Sequence, residues 1–298
     1  MNFNSDLIDE YKKFSYGLLS QKVERYMTYF ESLIIDMKKA GMRMSLLEYM
    51  STAIMTSIVV FLVEFPLVFV ISLFIPNFSL IMAFIFSFSI TIVFSVGIFF
   101  FFYMYPSISA AGRKKSIDFA LPFTTLYMAT VSGGNAPAKA MFKILSKFTE
   151  YGEVTKEAKE ITRNVEIFGM GINEAIRKSA DKSPSEEFKE LMWGIDTTLT
   201  TGGDLSEYLH GKARAFIQNY KRMMREYAKR VSVLLEVYVT LIVVGSIFFV
   251  VVSSLMSAFG TGMMDIIVIA QFFLIFLGLP VISIVFIIIL KYMSPRVG

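Results

Sequence analysis

The chain has 298 residues, 55% of them hydrophobic and 15% aromatic, with a mean hydropathy of +0.59 and a formal net charge of +4. That balance excludes an ordinary soluble domain and fits a polytopic membrane protein. The lack of cysteine excludes disulfides, Fe–S clusters and Cys-based zinc sites.

Residues 1–50 predict an amphipathic helical segment with breaks. Val23, Met27, Phe30, Ile34 and Met37 recur at helical spacing, with Lys22, Arg25, Glu31, Lys38 and Lys39 between them. Gly41 punctuates the helix before residues 46–50 lead into an apolar run. The segment is expected on the membrane surface or against the middle of the chain, with a partner-binding arm as the alternative. It lacks the pattern of a cleavable signal peptide, so the first span is expected to serve as the insertion signal.

Four apolar runs follow, at residues 51–75, 78–105, 233–258 and 264–290. Each reaches the roughly 20 residues that a membrane helix needs. The joining turns are Pro76-Asn77 and Phe259-Gly260-Thr261-Gly262, with Asp265 just beyond, and neither carries a positive charge. No Lys or Arg occurs between Arg43 and Arg113, or between Arg230 and Lys291. Of the 29 basic residues, 7 lie in residues 1–50, 20 in 106–232 and 2 in the tail 291–298. By the positive-inside rule both termini and the middle segment face the cytoplasm of a multi-pass cell-membrane protein.

The middle segment, 106–232, lacks strand-like alternation and divides into helical patches. The first covers 113–131 and stops at Ser132-Gly133-Gly134. Asn135 is expected to cap a short helix reaching Phe148, with Pro137 in its first turn. A third helix over 153–168 carries the stripe Val154, Ala158, Ile161, Val165 and Phe168, and ends at Gly169-Met170-Gly171. A short fourth carries Ile172, Ala175, Ile176 and Ala180. The fifth opens on Ser183-Pro184-Ser185-Glu186, read as an N-cap serine, a first-turn proline and a capping-box glutamate. Its buried face is Phe188, Leu191, Met192, Ile195 and Leu199, and Gly202-Gly203 stops it. Asp204 with Glu207 caps the sixth, which is expected to continue through Lys229 and Arg230 into the third span. The expected fold is an all-α membrane protein, with four spans and a cytoplasmic antiparallel six-helix bundle between spans two and three.

No nucleotide-binding loop is present. Ser132-Gly133-Gly134-Asn135 and Thr201-Gly202-Gly203-Asp204 are Gly-rich, but neither is followed by Lys-Ser/Thr or preceded by a strand. His210 is the single histidine, too few ligands for a zinc site and without partners for a nucleophilic triad. No enzyme activity, cofactor or metal is therefore expected. Glu64 and Glu236 lie within or at the edge of apolar runs, where ionisable groups are costly. Both are candidates for intramembrane polar contacts. Lys212, Arg214, Lys221, Arg222, Arg225, Lys229 and Arg230 face one acidic counterpart, Glu226. Together with Arg113-Lys114-Lys115 they suit anionic headgroups or an acidic protein partner. The aromatics Phe216, Tyr220 and Tyr227 fall on an apolar helical stripe, so no nucleic-acid platform is read.

The punctuation of the middle segment resembles the type II secretion F domain of platform proteins. Such proteins serve type II secretion, type IV pili, tight-adherence pili and the archaeal flagellum. The resemblance rests on Leu121-Pro122 opening the first helix, Gly133-Gly134 closing it, and Gly169-Met170-Gly171 before Glu174-Ala175-Ile176. Ser183-Pro184 before Phe188 and Thr201-Gly202-Gly203-Asp204-Leu205 before Tyr208-Leu209 complete it. Lys39-Ala40-Gly41 and Glu48-Tyr49 look like the tight-adherence and archaeal branch. Many members carry two such domains, whereas this chain carries one.

The resemblance implies an integral membrane platform that couples a cytoplasmic hexameric secretion ATPase to insertion of pilin-like subunits. It also implies a homodimer, or pairing with a similar subunit. Candidate ATPase contacts are Gly133, Gly134, Asn135, Gly202, Gly203, Asp204, Lys221, Arg222 and Arg225. Glu64 is the candidate for packing against pilin or a sister subunit. A small-solute transporter or channel subunit is the alternative, and it would need a polar path that only Glu64 and scattered Ser and Thr could line.

Overall fold

A computed structural model describes residues 3–74, 79–134, 136–258, 269 and 272–293. Every regular element among them is helical. The chain divides into two compact units, Met1–Leu209 and His210–Gly298.

The first unit begins with α1 (Phe3–Glu24), a 3-10 turn (Met27–Phe30) and α2 (Ser32–Ala40). The predicted stripe does bury itself, but as three short pieces. Val23, Met27, Phe30, Ile34 and Met37 join one cluster with Leu46, Tyr49, Met50, Phe99 and Phe102. The segment thus packs on the near ends of the first two apolar helices, and Tyr11 Oη and Thr56 Oγ1, 3.1 Å apart, tie α1 to the first of them.

That helix is α3 (Leu46–Leu73), capped by Ser45, whose hydroxyl accepts the Glu48 N–H at 3.1 Å. It pairs with α4 (Leu80–Ser132), capped by Ser79. Small residues line the seam: Ala53, Ala83, Ser87 and Thr91 are fully buried, letting the backbones approach. Ser72 and Ser87 hydroxyls lie 3.2 Å apart, and Ser95 donates to the Ser57 carbonyl at 2.8 Å. Phe65 meets Phe84 edge to face at 5.6 Å. The outward faces, Leu62, Leu67, Val93 and Phe101 among them, are exposed apolar surface suited to lipid.

α4 departs from expectation. The span over 78–105 and the helix over 113–131 are one 53-residue element, about 80 Å long at 1.5 Å per residue. Leu121-Pro122 does not open a helix, because Pro106 and Pro122 both lie inside α4. Proline removes one bond to the carbonyl four residues earlier and its ring crowds that carbonyl, which favours a kink or break, yet α4 runs on through both. For Pro106 the carbonyl is that of Phe102, and Tyr49 Oη donates to it across the seam at 2.7 Å.

After α4 come α5 (Ala138–Leu145), α6 (Gly152–Glu166), α7 (Ile172–Lys182) and α8 (Glu186–Thr201). α5 packs on α6, α6 on α4 and α7, and α7 on α8. Their shared core includes Ile117, Leu121, Met141, Ile161, Ile176 and Leu191, all essentially without exposure. Three local expectations need correction. α5 starts after Pro137, and Asn135 lies outside the described residues. α6 ends at Glu166, so Phe168 is left 66% exposed instead of closing the stripe. The cap of α8 is Ser185, which accepts the Phe188 N–H at 3.0 Å. Ser183 precedes a proline and is extended (φ −69°, ψ 136°), which displaces the cap by two residues.

α9 (Leu205–Val239) starts in the first unit and continues into the second. There it is followed by a π-helical turn (Thr240–Val244), α10 (Gly245–Ala258), a second π turn (Leu274–Gly278) and α11 (Leu279–Met293). Tyr238 joins α9 to α11, with its hydroxyl 3.0 Å from Ser283 Oγ and its ring 4.3 Å from Phe286. Among the described residues, three helical stretches are long and apolar enough to cross a membrane: Leu46–Leu73, Leu80–Ser132 and Leu205–Leu255. A shorter apolar helix covers Phe276–Lys291. The expected turns at Pro76-Asn77 and Phe259–Gly262, Asp265, and the start of the fourth run lie outside the described residues.

Candidate functional site

Two of the glycine-bearing turns come together at one end of the first unit. α4 ends at Gly133, whose N–H bonds to the Ala129 carbonyl at 3.1 Å. Gly202 ends α8 in the left-handed region at φ +71°, the usual glycine C-terminal stop, and Gly203 N–H reaches back to Thr198 O at 2.9 Å. Asp204 then caps α9, its Oδ1 accepting the N–H groups of Ser206 at 2.8 Å and Glu207 at 3.0 Å. A β-carbon built on Gly133 would lie 3.6 Å from Ser206 Oγ, so the end of α4 abuts the first turn of α9. Gly134, Gly202, Gly203 and Asp204 are exposed around this junction.

Lys221, Arg222 and Arg225 stand exposed on the part of α9 that belongs to the second unit. Glu226 is 3.8 Å from Arg230, a loose pair at the helix surface. Glu236 is exposed on the same helix. Glu64 is half-buried on α3, and its Oε2 is buried without a hydrogen-bond partner among the described residues.

Sequence reasoning missed a polar cluster centred on Arg113. It groups this residue with Lys114 and Lys115 as one basic run. Lys114 and Lys115 are indeed exposed, but the Arg113 side chain turns inward and is only 14% exposed. Its Nε donates to Glu153 Oε2 at 2.8 Å, its Nη2 to Glu157 Oε1, and its Nη1 to the Lys39 carbonyl at 3.1 Å. Ser179 on α7 donates to the other Glu157 oxygen at 2.6 Å, and Lys182 pairs with Glu160 at 2.8 Å. Burial pushes the Glu157 carboxyl up, against the Ser179 hydrogen bond and the Arg113 charge. Burial acts the same way on Glu153, but hydrogen bonds from Lys156 and Arg113 outweigh it and hold that carboxyl low. The available signal was the i, i+4 spacing of Glu153 and Glu157, which sets both carboxylates on one helix face.

Two further contacts fasten α8. Asp118 on α4 accepts the Ser185 hydroxyl, and burial pushes its carboxyl up despite that bond and the nearby Lys114. Tyr208 lies against Gly194, and its hydroxyl donates to the Leu191 carbonyl at 3.3 Å.

Residues 124–253 match the family model for the type II secretion system (T2SS), protein F. This stretch belongs to the type II secretion F family. The F-family stretch takes in the end of α4, all of α5–α9 and most of α10, including both glycine turns and the basic face. Three proteins of Methanocaldococcus jannaschii are similar in sequence. One uncharacterized protein is 29% identical over 136 residues, 46% of this chain and 23% of its own length. Flagella accessory protein J is 26% identical over 137 residues, 46% of this chain and 24% of its own length. A second uncharacterized protein is 32% identical over 87 residues, 29% of this chain and 26% of its own length. The chain therefore spans about a quarter of the length of the curated relatives it matches. No solved structure matches the chain.

Proposed function

We propose that the chain is an integral membrane platform of a type IV filament or type II secretion-like machine, coupling a cytoplasmic hexameric ATPase to insertion of pilin-like subunits. The observation that carries this reading is the F-family match over residues 124–253, which includes the Gly133–Asp204 turn junction and the basic stretch of α9. Similarity to a flagella accessory protein favours a filament machine. In this reading four spans hold the protein in the cell membrane with both termini cytoplasmic. The helices from the second half of α4 to the first half of α9 form the cytoplasmic six-helix bundle. A second copy or a similar subunit completes the platform, and Glu64, with an oxygen still unpaired, packs against that subunit or against pilin.

The basic face divides by distance. For a helix entering the membrane end-on at Val233, Lys229 and Arg230 lie within about 6 Å of the apolar run, close enough for anionic headgroups. Lys221 and Arg222 lie roughly 17 to 18 Å below it, about two Debye lengths in physiological salt. Their charge is therefore available to an acidic protein surface, and Arg225 stands between the two regimes. These residues are proposed ATPase contacts, and the Gly133–Asp204 junction is a separate one.

Co-purification of the full chain in detergent, with mass spectrometry of what accompanies it, tests this. A hexameric secretion ATPase is expected, and it should be lost on the double reversal Arg222→Glu, Arg225→Glu. Retention despite reversal would keep the platform and move the contact to the glycine turns. A chain that purifies alone and carries solute across liposomes would overturn the reading in favour of a transporter.

A further inference from the structure

Arg113 lies eight residues beyond the apolar run that ends at Tyr105, where α4 leaves the membrane in the platform reading. Its guanidinium joins three helices at once. On one side it donates to the Lys39 carbonyl, in the last turn of α2, where the unpaired carbonyls and the negative end of the helix dipole favour a cation. On the other side it grips Glu153 and Glu157 of α6, and Glu157 is held in turn by Ser179 of α7.

The receiving turn is shaped for this contact. Gly41 follows α2 in the left-handed region at φ +74°, where a side chain is strained. A β-carbon there would stand 2.9 Å from Arg113 Nη1. Lys39-Ala40-Gly41 thus supplies a carbonyl and then a gap in which the guanidinium sits. Leu33 and Met37 hold the other face of α2 in the apolar cluster at the base of α3 and α4.

We propose that Arg113 is a coupling residue, a polar clasp that makes the N-terminal arm (α1 and α2) and the α6–α7 pair move as one body. Displacement of α6–α7 is carried through the clasp to α2, and through the apolar cluster to the first turn of α3. The clasp stands independently of the ATPase reading, and its test does not use a partner.

The chain has no cysteine, so introduced pairs can be spin-labelled uniquely. Lys38→Cys with Lys159→Cys reports the distance from α2 to α6; both positions are exposed. Lys159→Cys with Thr197→Cys reports α6 to α8. In the full chain in nanodiscs the first pair should give a single narrow distance distribution. R113Q should lose that narrow peak while the second pair keeps its own. R113K, which keeps the charge but not the fork, should fall between. A first-pair distribution in R113Q as narrow as the native one would overturn the proposal. Should R113Q broaden both pairs, E157Q, which preserves side-chain shape, decides: broadening of the first pair alone supports the clasp, and an unchanged first pair overturns it.

Discussion

Tyr49 donates its phenolic hydrogen to the Phe102 carbonyl at 2.7 Å, and Phe102 is the residue whose carbonyl Pro106 leaves without an intrahelical partner. A donor on α3 therefore repairs a defect that the sequence of α4 creates. An unpaired buried carbonyl costs about 1–3 kcal/mol, and more where no water can reach it. Tyr49→Phe should destabilise the α3–α4 hairpin by about that amount. In a Pro106→Ala background the backbone N–H returns, and the same substitution should cost much less. A double-mutant cycle by denaturation in mixed micelles reads this coupling, and additive effects would refute it.

Gly194 and Tyr208 set a second test. A β-carbon on Gly194 would fall 1.8 Å from Tyr208 Oη and 2.2 Å from Cζ. Gly194→Ala forces the ring to move and should cost about 1–3 kcal/mol, typical of overpacking. Tyr208→Phe should not rescue it, because the ring carbons remain too close, whereas Tyr208→Ala should recover part of the loss. Burial, with the charge of Glu190 behind it, pushes the Tyr208 phenol up to about 12. Its folded value lies above the unfolded one, so its stabilisation is complete below pH 10 and fades as pH rises towards 12. A phenolate titration of native protein against Tyr208→Phe checks this.

Asp204 Oδ1 satisfies two N–H groups at the start of α9. Asp204→Ala should cost about 0.5–2 kcal/mol, and Asp204→Ser or Asn much less. Hydrogen exchange should show the loss at the Ser206 and Glu207 amides first. Uniform exchange along α9 would mean that the cap does not govern this end.

The α6 carboxylates predict the acid limb. Glu153 and Glu160 are held below the usual 4.5: burial opposes this in each case, and hydrogen bonds from Lys156 and Arg113 to the first, and from Lys182 to the second, prevail. Their contribution is in place above the unfolded value and is lost as pH falls through the folded values beneath it. Glu157 has the opposite sign. Its raised folded value means that stability declines as pH climbs from 4.5 through that value. Denaturation curves across this range should show Glu153→Gln and Glu160→Gln flattening the acid loss. Glu157→Gln should remove the decline above it.

The first three apolar runs and the glycine stops at Gly133 and Gly202 were legible because each rests on a local signal. Uninterrupted hydropathy marks α3 and the start of α4, and Gly202 with Asp204 marks a stop and a start within three residues. The continuity of α4 was not legible, because prolines locally favour a break, and the Tyr49 hydroxyl that pairs with the Phe102 carbonyl comes from a residue 57 positions before Pro106. The inward turn of Arg113 was hidden for the same reason. Beside Lys114 and Lys115 it reads as a third surface cation, and its partners Lys39, Glu153 and Glu157 meet only after folding. Ser183 and Ser185 both offer a serine cap, and the preference depends on the extended residue that Pro184 requires.

Residues 106–132 extend α4 about 40 Å past its apolar run. Treated as a rigid rod pivoting where Tyr49 meets Phe102, about 45 Å from Ser132, a tilt of about 10° would sweep Ser132 and the neighbouring Gly133 turn sideways by about 8 Å. Motion at that turn is correspondingly geared down: a partner that shifts it by the width of one side chain asks the bilayer for only a few degrees.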